Sequence, residues 1–198
     1  MNNSGKMNSE ESNRLLTLPN ILSIFRILLV PVFLMMVTQG KAFGALAIFL
    51  LAGLTDLLDG FTARQLHQKT KIGALLDPAA DKLLATSSYI VLSIPSLKLL
   101  NAIPIWLAIT VISRDLLISS GAFLAFKLRG QKRFDPTIFG KASTACQFSV
   151  IFFVLFFNYT QTSPYLSWLY YVTLFSTLVS GIHYVAIGIR MIFPKKQS

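Results

Sequence analysis

A lone cysteine, two histidines and eight acidic residues are the whole stock of thiol, imidazole and carboxylate in this 198-residue chain. Cys146 has no second thiol to pair with, which excludes an intrachain disulfide and a cysteine metal site. Lying in an apolar run, it reads as a small packing residue. Charge is equally sparse: 13% of residues are charged and 54% hydrophobic, with a mean hydropathy of +0.62. A soluble domain carries about 25% charged residues, so the composition predicts an integral membrane protein. No internal repeat is visible. The polar opening, residues 1–20, has neither the apolar h-region of a secretory signal nor the Arg-rich make-up of a transit peptide.

What is present is apolar length. A membrane-spanning helix needs about 20 apolar residues, and such runs begin near Ile21, Ala42, Gly73, Ile103, Ile138 and Ser167. They predict an all-α integral membrane protein, a six-transmembrane-helix bundle with helices over about 21–38, 42–64, 73–95, 103–127, 138–160 and 167–193. One transmembrane domain, 21–193, follows a cytoplasmic or interfacial segment, 1–20. The net charge of +10 is distributed unevenly: Arg64, Lys69, Lys71, Lys127, Arg129, Lys132, Arg133, Lys141 and the basic termini fall on one side, with only Lys41 and Lys98 on the other. That asymmetry places both termini in the cytoplasm and turns the basic surface toward anionic headgroups rather than nucleic acid. The Asn158-Tyr-Thr160 sequon falls on the opposite side and carries no meaning in a bacterial membrane.

Half of the acids lie between residues 56 and 81, within otherwise apolar helices: Asp56, Asp59, Asp77 and Asp81. Ionisable groups there are costly and mark function by default. Asp56 and Asp59/Gly60 share one face of the second helix, as do Gly73, Asp77 and Asp81 on the third. At 1.5 Å per residue, Asp59 and Asp77 lie roughly 6–8 Å below the cytoplasmic end of their helices, and Asp56 and Asp81 roughly 12 Å. Four hard oxygen donors at matched depth suit Mg²⁺ or Mn²⁺, and a carboxylate-bridged pair of ions would serve an in-line displacement at phosphorus. Gly60 and Gly73 leave room for a substrate to approach the backbone, and Arg64 offers a phosphate a bidentate fork. The competing explanation is a set of structural ion pairs with Lys82, Arg26, Arg64 and Arg114, cations that look too few and too scattered to neutralise every acid.

The pattern Asp56-x2-Asp59-Gly60-x2-Ala63-Arg64-x8-Gly73-x3-Asp77-x3-Asp81 resembles, at every defined position, the signature of the CDP-alcohol phosphatidyltransferases. The resemblance extends to Leu18-Pro19-Asn20-Ile-Leu-Ser23-Ile-Phe-Arg26, Ile112-Ser113-Arg114-Asp115 and Gly140-Lys141-Ala-Ser-Thr144-Ala-Cys-Gln147, which are similar to the phosphatidylglycerophosphate synthase and CMP-forming cardiolipin synthase branches. It implies transfer of a phosphatidyl group from CDP-diacylglycerol to a glycerol-type alcohol with release of CMP, dependence on Mg²⁺ or Mn²⁺ (two ions), and a homodimer. By the same resemblance Asp56, Asp59 and Asp77 hold the metals. Asp81 is a further ligand and the catalytic base, and Gly60, Ala63, Arg64 and Gly73 line the cytidine-diphosphate pocket.

Arg114 and Lys141 are the candidates for holding the acceptor, against a buried ion pair with Asp115 for the first and a membrane-surface anchor for the second. Lys82 either tunes Asp81 or pairs with it. His183 reads as an interior residue and His67 as loop surface. Glycerol 3-phosphate is taken as the acceptor, and phosphatidylglycerol is the alternative toward which Arg114-Asp115 leans. A small cation transporter would also place acids in a membrane, but near its midplane on broken helices with internal repeats.

Overall fold

The computed structural model describes residues 18–65, 73–129 and 137–192; the side-chain surroundings of 18–19, 59–65, 73–78, 122–129 and 189–192 lie outside that description. Among the described residues the long elements are six α-helices: α1 Leu18–Thr38, α2 Ala42–Gln65, α3 Gly73–Leu92, α4 Ile105–Arg129, α5 Ile138–Tyr159 and α6 Ser167–Ile192. A single 3₁₀ turn, Pro95–Leu97, precedes α4. The expected helix positions are matched to within a few residues, because Gly40, Pro95, Pro104 and Pro164 punctuate the apolar runs. Three helices, over Asn20–Thr38, Ile138–Tyr159 and Ser167–Gly188, are long and apolar enough to cross a membrane; α2 contributes a shorter apolar stretch, Ala42–Leu58.

Two compact units divide the chain, one running to Leu92 and the other beginning at Ser93. In the first, α1 packs against both α2 and α3. One stripe of α1 is buried along its length: Asn20, Ser23 and Arg26 at the N-terminal end, then Val30, Phe33 and Val37. The spacing is that of a helix face, and its chemistry changes from polar to apolar partway along. The apolar half meets Ala45, Phe49 and Ala52 of α2, with the Phe33 and Phe49 rings 6.5 Å apart. A Cβ on Gly44 would come within 2.8 Å of Met36 Sδ, so the missing side chain lets α1 and α2 close on each other beside their turn. That turn is tight: Gly40 takes φ +70°, a conformation that favours glycine, and Lys41 N donates to Met36 O at 2.9 Å.

In the second unit α6 packs against α4 and α5. Its core joins Leu107, Ala108 and Val111 to Val150, Ile151 and Val154 and to Leu169, Tyr170 and Thr173. At the end near the 3₁₀ turn, Asn158 accepts from Asn101 N at 2.9 Å and donates to Asn101 O at 2.7 Å and Val154 O at 2.8 Å. Asn101 Nδ2 donates in turn to Thr162 O at 2.7 Å. The sequon asparagine is therefore buried with its amide fully engaged. Large apolar side chains such as Leu57, Leu116, Phe175 and Ile182 point outward, the arrangement suited to a hydrocarbon surround.

Candidate active site

The polar half of the α1 stripe is where the unit's charge gathers. Arg26 is fully buried, with 1% of its side chain exposed, and its Nη1 lies 2.9 Å from Asp56 Oδ1 on α2. The same nitrogen donates to Asp81 Oδ1 on α3. Carboxylates from two helices thus converge on one atom of a third, in agreement with their matched depth in the sequence. The two acids remain open on the other side, at 46% and 42% exposure. That contrast matters: a sealed ion pair has no face for a ligand, whereas these carboxylates have a buried cation behind and accessible surface in front. The sequence argument weighed structural ion pairs with the acids and set them aside; among the described residues the structure shows Arg26 paired with both Asp56 and Asp81.

Asp59, Gly60, Ala63 and Arg64 lie on the last turns of α2, while Gly73 opens α3 with Asp77 one turn later; their side chains lie outside the described residues. Among the described residues no group of three or more His, Cys, Asp or Glu closes around a point. Asp56 and Asp81 fit the implied metal in donor chemistry and in convergence, since hard oxygens from both helices reach a single nitrogen. Lys82 is exposed beside Asp81.

Arg114 and Lys141 belong to the second unit. Arg114 is 10% exposed; Nη1 donates to Asp115 Oδ1 at 2.7 Å and Nη2 to Ser180 Oγ at 2.6 Å. Its guanidinium carbon lies 5.8 Å from the centre of the Tyr184 ring, within cation–π range. Nε is buried without a hydrogen-bond partner. The Tyr184 hydroxyl accepts from Thr137 N at 3.2 Å, and Thr137, capping α5, accepts from Gly140 N at 3.1 Å. A Cβ on Gly140 would come within 2.8 Å of that hydroxyl, so the glycine before Lys141 is what lets Tyr184 reach the start of α5. Lys141 itself is exposed on the first turn. Beside Arg114, α4 and α6 leave a largely apolar groove of about 500 Å³, lined by Ile109, Ser113, Leu117, Leu178, Ile182 and Val185 among others. His183, expected in the interior, is half-buried and sets its ring edge-on to the exposed Phe139 at 5.2 Å.

Sequence reasoning named Arg26 only among the cations of a structural ion-pair reading, and missed Ser180 and Tyr184 altogether. The three buried polar residues at 20, 23 and 26 were the available signal: helix-face spacing inside an apolar run.

Apolar helices of bilayer length, with acids from two helices gathered on one buried arginine, define an all-helical integral membrane protein. The profile of the CDP-alcohol phosphatidyltransferases matches residues 16–179, and the chain belongs to that family. Members act on CDP-alcohols and alcohol acceptors and generally use divalent metals. Among curated relatives, cardiolipin synthase (CMP-forming) of Rattus norvegicus is 37% identical over 191 residues, 87% of this chain and 61% of that protein. The Homo sapiens protein of the same name is 36% identical over 191 residues, 87% of this chain and 62% of its own length. CDP-diacylglycerol–glycerol-3-phosphate 3-phosphatidyltransferase of Aquifex aeolicus is 33% identical over 183 residues, 91% of this chain and the whole of that protein. The chain thus spans about 61% of the length of the mammalian proteins it matches.

Proposed function

We propose that this protein is a divalent-metal-dependent phosphatidyltransferase of phospholipid biosynthesis, using CDP-diacylglycerol as donor. The observation that carries this reading is the convergence of Asp56 and Asp81 on Arg26, inside the intact eight-position motif. Asp56, Asp59, Asp77 and Asp81 would hold two Mg²⁺ or Mn²⁺ ions, which when bound neutralise the pyrophosphate and polarise the phosphorus under attack. Gly60, Ala63, Arg64 and Gly73 seat the cytidine diphosphate. The acceptor hydroxyl attacks the phosphorus that bears diacylglycerol, and Asp81 takes its proton. The bond to the CMP oxygen breaks, and CMP departs. An alcohol is a weak nucleophile at neutral pH, so a positioned carboxylate raises the rate through the transition state.

Phosphatidylglycerol is the acceptor this reading now favours, giving cardiolipin. Arg114 already has Asp115, Ser180 and Tyr184 around it, an arrangement poorly suited to a small dianion, and the groove beside it suits a hydrocarbon chain. The mammalian relatives carry the cardiolipin synthase name. Glycerol 3-phosphate, the acceptor taken from the sequence, is the second reading, supported by exposed Lys141 and by the full-length match to the Aquifex protein. Six spans, both termini on the cytoplasmic side of a bacterial membrane, and a homodimer complete the proposal. Purified protein in lipid nanodiscs is offered CDP-diacylglycerol with each acceptor separately. CMP and cardiolipin with phosphatidylglycerol support the first reading, and CMP and phosphatidylglycerophosphate with glycerol 3-phosphate the second. No CMP with either overturns phosphatidyl transfer.

A further inference from the structure

We propose that Arg26 is a positioning residue, the built-in counter-charge that holds the α2 and α3 halves of the carboxylate set facing each other. The inference rests on the phosphatidyltransferase reading for its catalytic consequence, but on geometry alone for its structural one. A buried guanidinium is expensive to desolvate and persists where acids repay the cost. Arg26 has the most complete burial of any charged side chain described, and a single nitrogen of it touches acids from two different helices. Without it Asp56 and Asp81 repel each other at short range across a helix boundary, and like charges in close contact favour separation. The cation stands on the closed side of the acids, and their exposed side is left for ligands. Ser23 and Asn20, one and two turns back on the same stripe, are equally buried, so the whole polar end of α1 is committed to this wall.

A divalent ion and Arg26 draw on the same two carboxylates. Removing the arginine therefore has two opposed effects. The acids lose the contact that orients them, and an incoming metal loses a nearby positive charge that repels it. A residue that only fills space would show neither opposition.

The test uses the full chain in nanodiscs, as Arg26→Met, Arg26→Lys and the native protein. Each is stripped with EDTA and titrated with Mn²⁺, free ion being read by electron paramagnetic resonance, and each is unfolded thermally in EDTA and in saturating Mn²⁺. Expected for Arg26→Met is a lower Tm in EDTA, largely recovered by Mn²⁺, a recovery far exceeding the native shift. Mn²⁺ should bind roughly 10-fold more tightly, since one opposing charge has gone. Turnover should fall by at least about 10-fold with the KM for CDP-diacylglycerol little changed, as for a lost transition-state contribution. Arg26→Lys, keeping the charge, should return the EDTA Tm toward native. Mn²⁺ binding that weakens in step with turnover, or a Tm loss that Mn²⁺ does not selectively recover, overturns the proposal. Should the native protein release no CMP, the functional reading fails, while the comparison of unfolding in EDTA and Mn²⁺ still decides the counter-charge. No Mn²⁺ response in any of the three proteins overturns both.

Discussion

Among the described residues each unit of this protein buries an arginine against carboxylate, and the two do it in opposite ways. Arg26 reaches across helices to Asp56 and Asp81, acids that are 46% and 42% exposed. Arg114 turns to Asp115, its neighbour in sequence, and that acid is only 15% exposed. The first arrangement leaves carboxylate surface for something else to bind; the second closes on itself, with Ser180 and Tyr184 completing the shell. Isolated charge in a membrane is costly whichever solution is used. An open cluster leaves its acids accessible to a ligand, and a closed one does not.

Several substitutions would break or sharpen that contrast. The largest effect belongs to the open cluster. Asp59→Asn or Asp77→Asn should abolish CMP release and weaken Mn²⁺ binding together, as exhaustive EDTA should in the native protein. Full turnover after chelation would mean that the open acids are not a metal site at all. Asp81→Asn comes next: turnover should drop by roughly 10²–10⁴-fold, the usual range for loss of a general base, with CDP-diacylglycerol binding retained. Equal collapse of nucleotide binding would make Asp81 chiefly a ligand.

In the other unit, effects should be smaller and of another kind. If glycerol 3-phosphate is the acceptor, Lys141→Ala removes a charge-assisted contact worth about 1.5–3 kcal/mol. That corresponds to a roughly 10- to 150-fold rise in acceptor KM at about 1.4 kcal/mol per decade. With phosphatidylglycerol, whose acyl chains supply much of the binding, the rise should be no more than a few-fold. Least of all should chemistry respond to Asn158→Ala, which strips Asn101 N and O of their partners. A Tm loss reflecting about 1–3 kcal/mol with unchanged KM values is expected; altered acceptor KM would show that the far end of the unit shapes the site.

The helices were legible because apolar runs of spanning length alternate with Pro and Gly, a pattern that needs no tertiary information. The four aspartates were legible for the converse reason, being charges where charge is costly. Arg114 with Asp115 could be read as a pair because the two are adjacent. Arg26 could not be placed: its partners lie 30 and 55 positions away, and it sits in the most apolar of the candidate spans, with a hydropathy of 2.4. Averaged hydropathy hides a stripe that is polar over only half its length. Ser180 and Tyr184 escaped for a similar reason. Nothing local marks one hydroxyl of α6 as a partner for α4 or for the cap of α5.

The stripe on α1 also bears on how the protein is made. With its high hydropathy α1 is suited to enter the bilayer, carrying Arg26 with it, and α2 and α3 with Asp56 and Asp81 follow it along the chain. During synthesis the cation therefore arrives first and the acids afterwards. Asp56 and Asp81 meet a ready counter-ion instead of bare hydrocarbon, where an aspartate at mid-helix costs about 2.5–3.5 kcal/mol. The order of the helices along the chain is also an order of charge neutralisation, the cation of α1 preceding the acids of the two helices that pack on it.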